Sequence, residues 1–245
     1  MIVKGGKNIW SQRIGVLSLD SKFPKPPGHI KHPESFDFPV IYKIVDGIGT
    51  RELIKEPGPY LLDPFIKAIK ELEAEGVEAI TGSCGFLALY QKELSDAVDI
   101  PVFISSLIQI PLVAAMLKPT KTVGVMTAVA ANLTPAHFHA IGVTDLSKVH
   151  VGGMDAAKEF TEVIIDNKRV DMDVDQVRLE VVTLAKKLVS AHPDIGALVM
   201  ECTDMPPYAV DVQEATGLPV FDLSTLTNMV AEGVRRQPYP GRWTS

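Results

Sequence analysis

Short apolar runs and amphipathic stretches alternate along the whole chain, and the period of each assigns its element. Residues 13–18 read as a buried strand ending in Ser18, and 38–45 as a second. The segment from Asp20 to Asp46 is otherwise rich in Pro, Lys and His and predicts a long loop that covers a site. Asp63 and Pro64 open a helix, with Leu62, Phe65, Ile66, Ile69 and Leu72 on one face and Gly76 at its end. A strand over 77–80 leads to Cys84. A helix over 86–97, a strand over 101–104 and a helix over 106–117 follow.

At Lys121 the pattern restarts. Strand 122–127 repeats the Gly-Val of the first strand, and a helix at 130–140, a strand at 148–151 and a helix at 155–166 come next. Asp173 and Gln176 form a capping-box-like start for a long helix to about residue 190. A strand over 195–199 leads to Cys202. The chain closes with a helix after Pro206, a strand over 218–221 and a helix over 224–235.

The restart is an internal repeat. Setting residue n against n+118 needs no gap over 77–117 and matches Ala79 with Ala197, Cys84 with Cys202, Tyr90 with Tyr208 and Ala97 with Ala215. Pro101-Val102-Phe103 falls on Pro219-Val220-Phe221, and Ser106 on Ser224. Chance gives roughly two or three identities over that length. Alternating strands and helices build parallel sheets with right-handed crossovers. The predicted fold is therefore α/β, with two pseudo-symmetric lobes, each a parallel sheet flanked by helices. The active site is expected in the interlobe cleft, where the strand carboxyl ends face one another.

Composition narrows the function. With 46% hydrophobic and 22% charged residues, 245 residues can bury a substantial core. A net charge of −6 gives no reason to expect nucleic acid or an anionic membrane as partner. The run 100–117 is too polar to span a bilayer, and residues 1–10 lack the apolar core of a signal peptide, so a cytoplasmic protein with reduced thiols is expected. Gly-x-Gly-x-x-Gly after a strand, the P-loop and Gly-x-Ser-x-Gly do not occur, which argues against nucleotide enzymes and serine hydrolases.

Cys84 and Cys202 are the only cysteines, and each stands at a strand-to-helix junction. One such cysteine reads most simply as a small buried hydrophobe. Two at matched junctions point to paired chemistry. A helix start is expected to lower a thiol pKa, which suits proton abstraction. Two thiols on opposite walls would remove a proton from one face of a carbanion and return it to the other. Backbone N–H groups at the same junctions would hold a carboxylate and its enediolate.

These residues carry a resemblance to the aspartate/glutamate racemase superfamily, which includes hydantoin racemases, maleate isomerases and arylmalonate decarboxylases. The two-cysteine layout, the Ile14-Gly15-Val16 opening strand and the Val123-Gly124-Val125 strand of the second half support it. The resemblance implies one lobe of residues 1–118 plus 222–245 and a second of 119–221, with Cys84 and Cys202 as catalytic acid/bases. Amino-acid racemases of the family usually carry Asn-Thr where this chain has Gly85-Phe86, and Cys-Thr-His or Cys-Thr-Glu where it has Cys202-Thr203-Asp204.

The expected function is a cofactor-independent racemase or epimerase, an isomerase, of a small carboxylate-bearing compound. The alternatives are a single-cysteine cis–trans isomerase or decarboxylase of the same superfamily, or a non-catalytic binding protein. Ser18, Gly85, Phe86, Thr127, Thr203 and Asp204 are the expected substrate contacts; Phe86 fits pocket or core equally. Asp204 has the further readings of orienting Cys202 or capping the turn before Pro206. No cofactor and no metal are expected, since His29 with His32 and His137 with His139 lack a recognisable third ligand. The apolar helix 106–117 suits a homodimer or higher homo-oligomer interface and ordinary core equally.

Overall fold

A computed structural model describes residues 13–238 together with 2, 5–7, 9 and 10. Residues 1, 3, 4, 8, 11, 12 and 239–245, which the sequence reading assigns to the first lobe, lie outside the described residues.

The near-continuous apolar runs at Ile14–Leu19 (β1) and Thr122–Thr127 (β5) are buried at every position, as central strands of parallel sheets must be. Around β1 stand Val40–Val45 (β2), Ala79–Gly82 (β3) and Val102–Phe103 (β4), in the order β2-β1-β3-β4. Around β5 stand Val149–Gly153 (β6), Ile195–Met200 (β7) and Val220–Phe221 (β8), in the order β6-β5-β7-β8. Every pairing is parallel. The repeat extends to register: Ile80 opposite Val102 corresponds to Leu198 opposite Val220, and Thr81 opposite Phe103 to Val199 opposite Phe221.

Helix Leu62–Glu75 (α2) covers one face of the first sheet with Phe65, Ala68, Ile69 and Leu72, and Gly76 ends it in the left-handed conformation at φ 94°. Burial of Phe65, Ile69 and Leu72 contributes about 1.5–3 kcal/mol each. The opposite face receives Leu223, Leu226 and Ala231 of the last helix, Leu223–Val234 (α9), against Ile14, Val16, Ala79 and Phe103. The chain thus returns to the first sheet after its last strand in the second. Ile110–Met116 (α4), Pro135–Ala140 (α5) and Lys158–Phe160 (α6) are short. In that second sheet Val174–Ala191 (α7) buries Val177, Val181, Ala185 and Leu188, and Asp173 caps it by accepting from the Gln176 N–H at 3.0 Å.

Several local expectations are corrected. Thr50–Lys55 forms a helix (α1) that the polar pattern did not reveal. A 3₁₀ turn at Pro59–Leu61 runs directly into α2, so the flanking residue is Leu61 and Asp63 lies inside the first turn. The segments after the cysteines are not single α-helices. Gly85–Tyr90 is a 3₁₀ turn before Gln91–Asp96 (α3), and Pro206–Tyr208 another before Ala209–Thr216 (α8). Among the described residues no helix is long and apolar enough to cross a membrane.

Candidate active site

Cys84 follows β3 and Cys202 follows β7, so the two parallel sheets deliver their sulfurs from the carboxyl ends of equivalent strands. Both residues are buried, at 7% and 6% exposure. They are close enough that the charge of Cys84 acts on Cys202. Each sulfur also meets a backbone N–H two residues on, from Phe86 at Cys84 and from Asp204 at Cys202, another correspondence under the repeat.

The expected lowering of both thiol pKa values is corrected. Burial pushes both thiols well above the ordinary cysteine value; the charge of Glu201 adds most at Cys84 after burial, and that of Asp204 at Cys202. The turns after the cysteines span only six and three residues in 3₁₀ geometry, too little aligned helix to offset desolvation. A thiolate forms here only with help from a neighbour or a bound cation.

Cys202 has a hydrogen-bond acceptor for its proton, although the charge of that acceptor opposes the thiolate. Its Sγ donates to Asp204 Oδ2 at 3.5 Å, and Asp204 Oδ1 lies 2.9 Å from His29 Nε2. The Lys31 N–H donates to His29 Nδ1 at 2.8 Å, which leaves the ring proton on Nε2, facing Asp204. Burial opposes the charge on Asp204, but the hydrogen bond from His29 and the charges of Lys25 and Lys31 together hold its pKa below the usual value. Burial pushes His29 down, so the pair is a neutral imidazole donating to a carboxylate.

His29 arrives on the long segment between β1 and β2, which closes over the cleft. Gly28, at φ 97°, packs against the Pro207 backbone, where an added Cβ would come within 3.0 Å, and its carbonyl accepts from the Ser224 hydroxyl at 3.2 Å. The same segment carries two half-buried cations. Lys31 Nζ donates to the Leu19 carbonyl and to Ser21 Oγ, both at 2.8 Å. Lys25 Nζ lies over the Phe23 ring, and burial lowers its pKa to about 8.

Glu201, fully buried between β7 and Cys202, accepts from Thr127 Oγ1 at 2.7 Å through Oε2, while Oε1 has no partner among the described residues. Burial raises its pKa to about 8. Its carboxyl and carbonyl press so closely on Gly85 that only glycine fits there. Thr203 reaches the other way and donates to the Ser83 carbonyl at 2.6 Å, while Ser83 Oγ accepts from the Leu19 N–H at 2.9 Å.

Several of the expected contacts have protein partners. The hydroxyls of Thr127 and Thr203 are engaged by Glu201 and Ser83, and buried Ser18 approaches the Leu19 carbonyl at 3.5 Å. Phe86 packs edge-to-face on His137, with ring centroids 5.3 Å apart. Asp204 stands beside Cys202. Sequence reasoning missed Lys25, His29, Lys31 and Glu201. Glu201 adjoins the cysteine, which was a usable signal; the loop residues come into place only through tertiary folding.

No family model matches the chain. Its sequence is 34% identical over 239 residues to a dimethylsulfoniopropionate lyase of Durusdinium sp. clade D, covering 94% of this chain and 78% of that protein. It is 35% identical over 240 residues to dimethylsulfoniopropionate lyase 7 of Emiliania huxleyi, covering 92% and 68%. Among solved structures, the aspartate racemase of Picrophilus torridus matches at a TM-score of 0.57 and 14% identity, over 91% of this chain and 94% of that one. Arylmalonate decarboxylase matches at 0.54 and 13%, over 90% and 92%. The fold is that of the aspartate/glutamate racemase superfamily, as the resemblance implied.

The expectation of a racemase or epimerase, and with it the isomerase class, is corrected by these lyase relatives. Paired cysteines at strand ends signal proton removal beside a carboxylate. That step opens both racemisation and elimination, and the substrate's leaving group, which no residue of this chain spells out, decides between them.

Proposed function

The chain belongs to the dimethylsulfoniopropionate lyase family, and from that premise we propose that it cleaves dimethylsulfoniopropionate by base-initiated β-elimination. A cysteine thiolate removes a proton from the carbon beside the carboxylate. The released electron pair forms the carbon–carbon double bond as the carbon–sulfur bond breaks. The sulfonium sulfur keeps that bonding pair and leaves as neutral dimethyl sulfide, the remaining product is acrylate, and the thiol returns its proton to solvent. The leaving group departs uncharged and needs no acid, so one base suffices.

The observation that carries this reading is the chain Cys202–Asp204–His29, a thiol hydrogen-bonded to a carboxylate that is itself oriented by a third group. Cys202 is the proposed base. In the resting site it is a thiol whose proton passes by way of Asp204 to solvent as the substrate binds; the cationic sulfonium supplies the positive charge that a desolvated thiolate requires. Lys31 and Lys25 take the substrate carboxylate and the charge that develops on it. Cys84 faces the same carbon from the first lobe as the second catalytic thiol. Ser18, Gly85, Phe86, Thr127 and Thr203 frame the cleft, holding the two cysteine turns together. Both thiols are free, in keeping with a cytoplasmic enzyme.

The test is incubation with dimethylsulfoniopropionate, following dimethyl sulfide in the headspace and acrylate in solution. Equal amounts of the two are expected, with Cys202→Ala reducing the rate by about 10²–10⁴-fold. Binding without release of either product overturns the reading. Full activity in Cys202→Ala with loss in Cys84→Ala would move the base to the first lobe.

A further inference from the structure

At the opposite end of β7 from Cys202, three side chains with metal-binding chemistry converge. His150 belongs to β6, His192 follows the last turn of α7, and Asp194 immediately precedes β7. One donor atom from each lies within 4.8 Å of the others. His150 Nε2 is 3.3 Å from Asp194 Oδ2, and the rings of His150 and His192 stack with centroids 3.8 Å apart.

Behind Asp194, Thr122 is 6% exposed; its hydroxyl lies close enough to act on Asp194 yet falls short of a hydrogen bond, leaving a buried oxygen without a partner among the described residues.

The backbone beneath is fixed. The His192 N–H donates to the Leu188 carbonyl at 3.1 Å, the Ile195 N–H to the His192 carbonyl at 3.1 Å, and the Thr122 N–H to the Asp194 carbonyl at 3.0 Å. All three candidate ligands are part-exposed, which gives an ion a way in and the side chains room to rotate to bonding distances of about 2 Å.

We propose that His150, His192 and Asp194 form a binding site for a borderline divalent cation of the zinc class, completed by water. Two imidazoles and one carboxylate suit zinc better than calcium or magnesium, which favour all-oxygen shells. The six residues of β7 separate the site from the cysteine end by roughly 20 Å. Its role is to tie the end of α7 to β6 and β7, and it takes no part in proton transfer.

The test is titration of the chelator-treated full chain with cobalt(II) and then zinc. One equivalent of cobalt is expected to give visible absorption without a thiolate charge-transfer band, and one of zinc to bleach it and raise the Tm. His150→Ala, His192→Gln and Asp194→Asn should each lose both signals while keeping the metal-free Tm within a few degrees. His139→Ala, at an exposed histidine elsewhere, should keep both. Failure of the wild type to bind stoichiometrically overturns the proposal. So does retention of binding in His150→Ala and His192→Gln together, or a thiolate band, which would put the metal on the cysteines. None of these readouts depends on lyase activity.

Discussion

Thr203 donates its hydroxyl to the carbonyl of Ser83 at 2.6 Å, joining the residue after one cysteine to the residue before the other across the two lobes. Thr203→Val leaves that buried carbonyl without a donor, at a cost of about 1–3 kcal/mol. Chemical denaturation is expected to show this loss, and Thr203→Ser to recover most of it.

Gly85 offers a sharper steric test. A Cβ there would stand 2.2 Å from Glu201 Oε1 and 2.3 Å from the Glu201 carbonyl oxygen. The carbonyl belongs to the chain leaving β7 and cannot swing aside. Gly85→Ala should cost on the order of 1–3 kcal/mol and sharply reduce activity with Cys84 intact. Adding Glu201→Ala should restore only part of the Tm, because the carbonyl clash remains.

Glu201 predicts a pH dependence of stability. Its pKa is about 8 in the folded protein, pushed up first by burial, against about 4.3 in an unfolded chain. Folding therefore takes up a proton at intermediate pH. The contribution of Glu201 is fully present below about pH 4 and declines as pH rises towards 8, by an amount on the order of a few kcal/mol. Glu201→Gln should flatten that part of the profile in denaturation measured from pH 5 to 8.5. An unchanged slope would place the proton elsewhere.

Lys31 uses two of its three N–H donors on Leu19 and Ser21, and the third remains for a substrate carboxylate. A charge-assisted hydrogen bond contributes about 1.5–3 kcal/mol, so Lys31→Met should raise KM by about ten- to a hundredfold. Lys25→Met should act in the same direction. In the wild type KM should rise above about pH 8, where Lys25 loses its charge.

How far the sequence predicted this arrangement differs by residue. Cys84 and Cys202 were legible because the repeat sets them in one register, and that register extends to the pairs Ile80–Val102 and Leu198–Val220. The strands were legible from their buried apolar runs. Helix α1 was not, since only Leu53 and Ile54 are buried in its six residues, too few to show a period. His29, Lys25 and Lys31 lie in a Pro-rich stretch without periodicity, and their place beside Asp204 depends on Gly28 docking against Pro207. The thiol pKa direction was misjudged because a junction in sequence does not reveal burial or the two acids that flank Cys202. The reaction class was misjudged because proton abstraction is common to both chemistries.

The segment that carries His29 has one more consequence. The imidazole reaches Asp204 only while Gly28 rests on Pro207, so any excursion that admits a molecule from solvent also withdraws the group that steadies the carboxylate. The same opening hydrates Cys202 and relieves the burial that holds its thiol protonated, so the closed segment also shields the sulfur from passing oxidants and electrophiles. Guarding the sulfur and readying it are thus done by the same few residues.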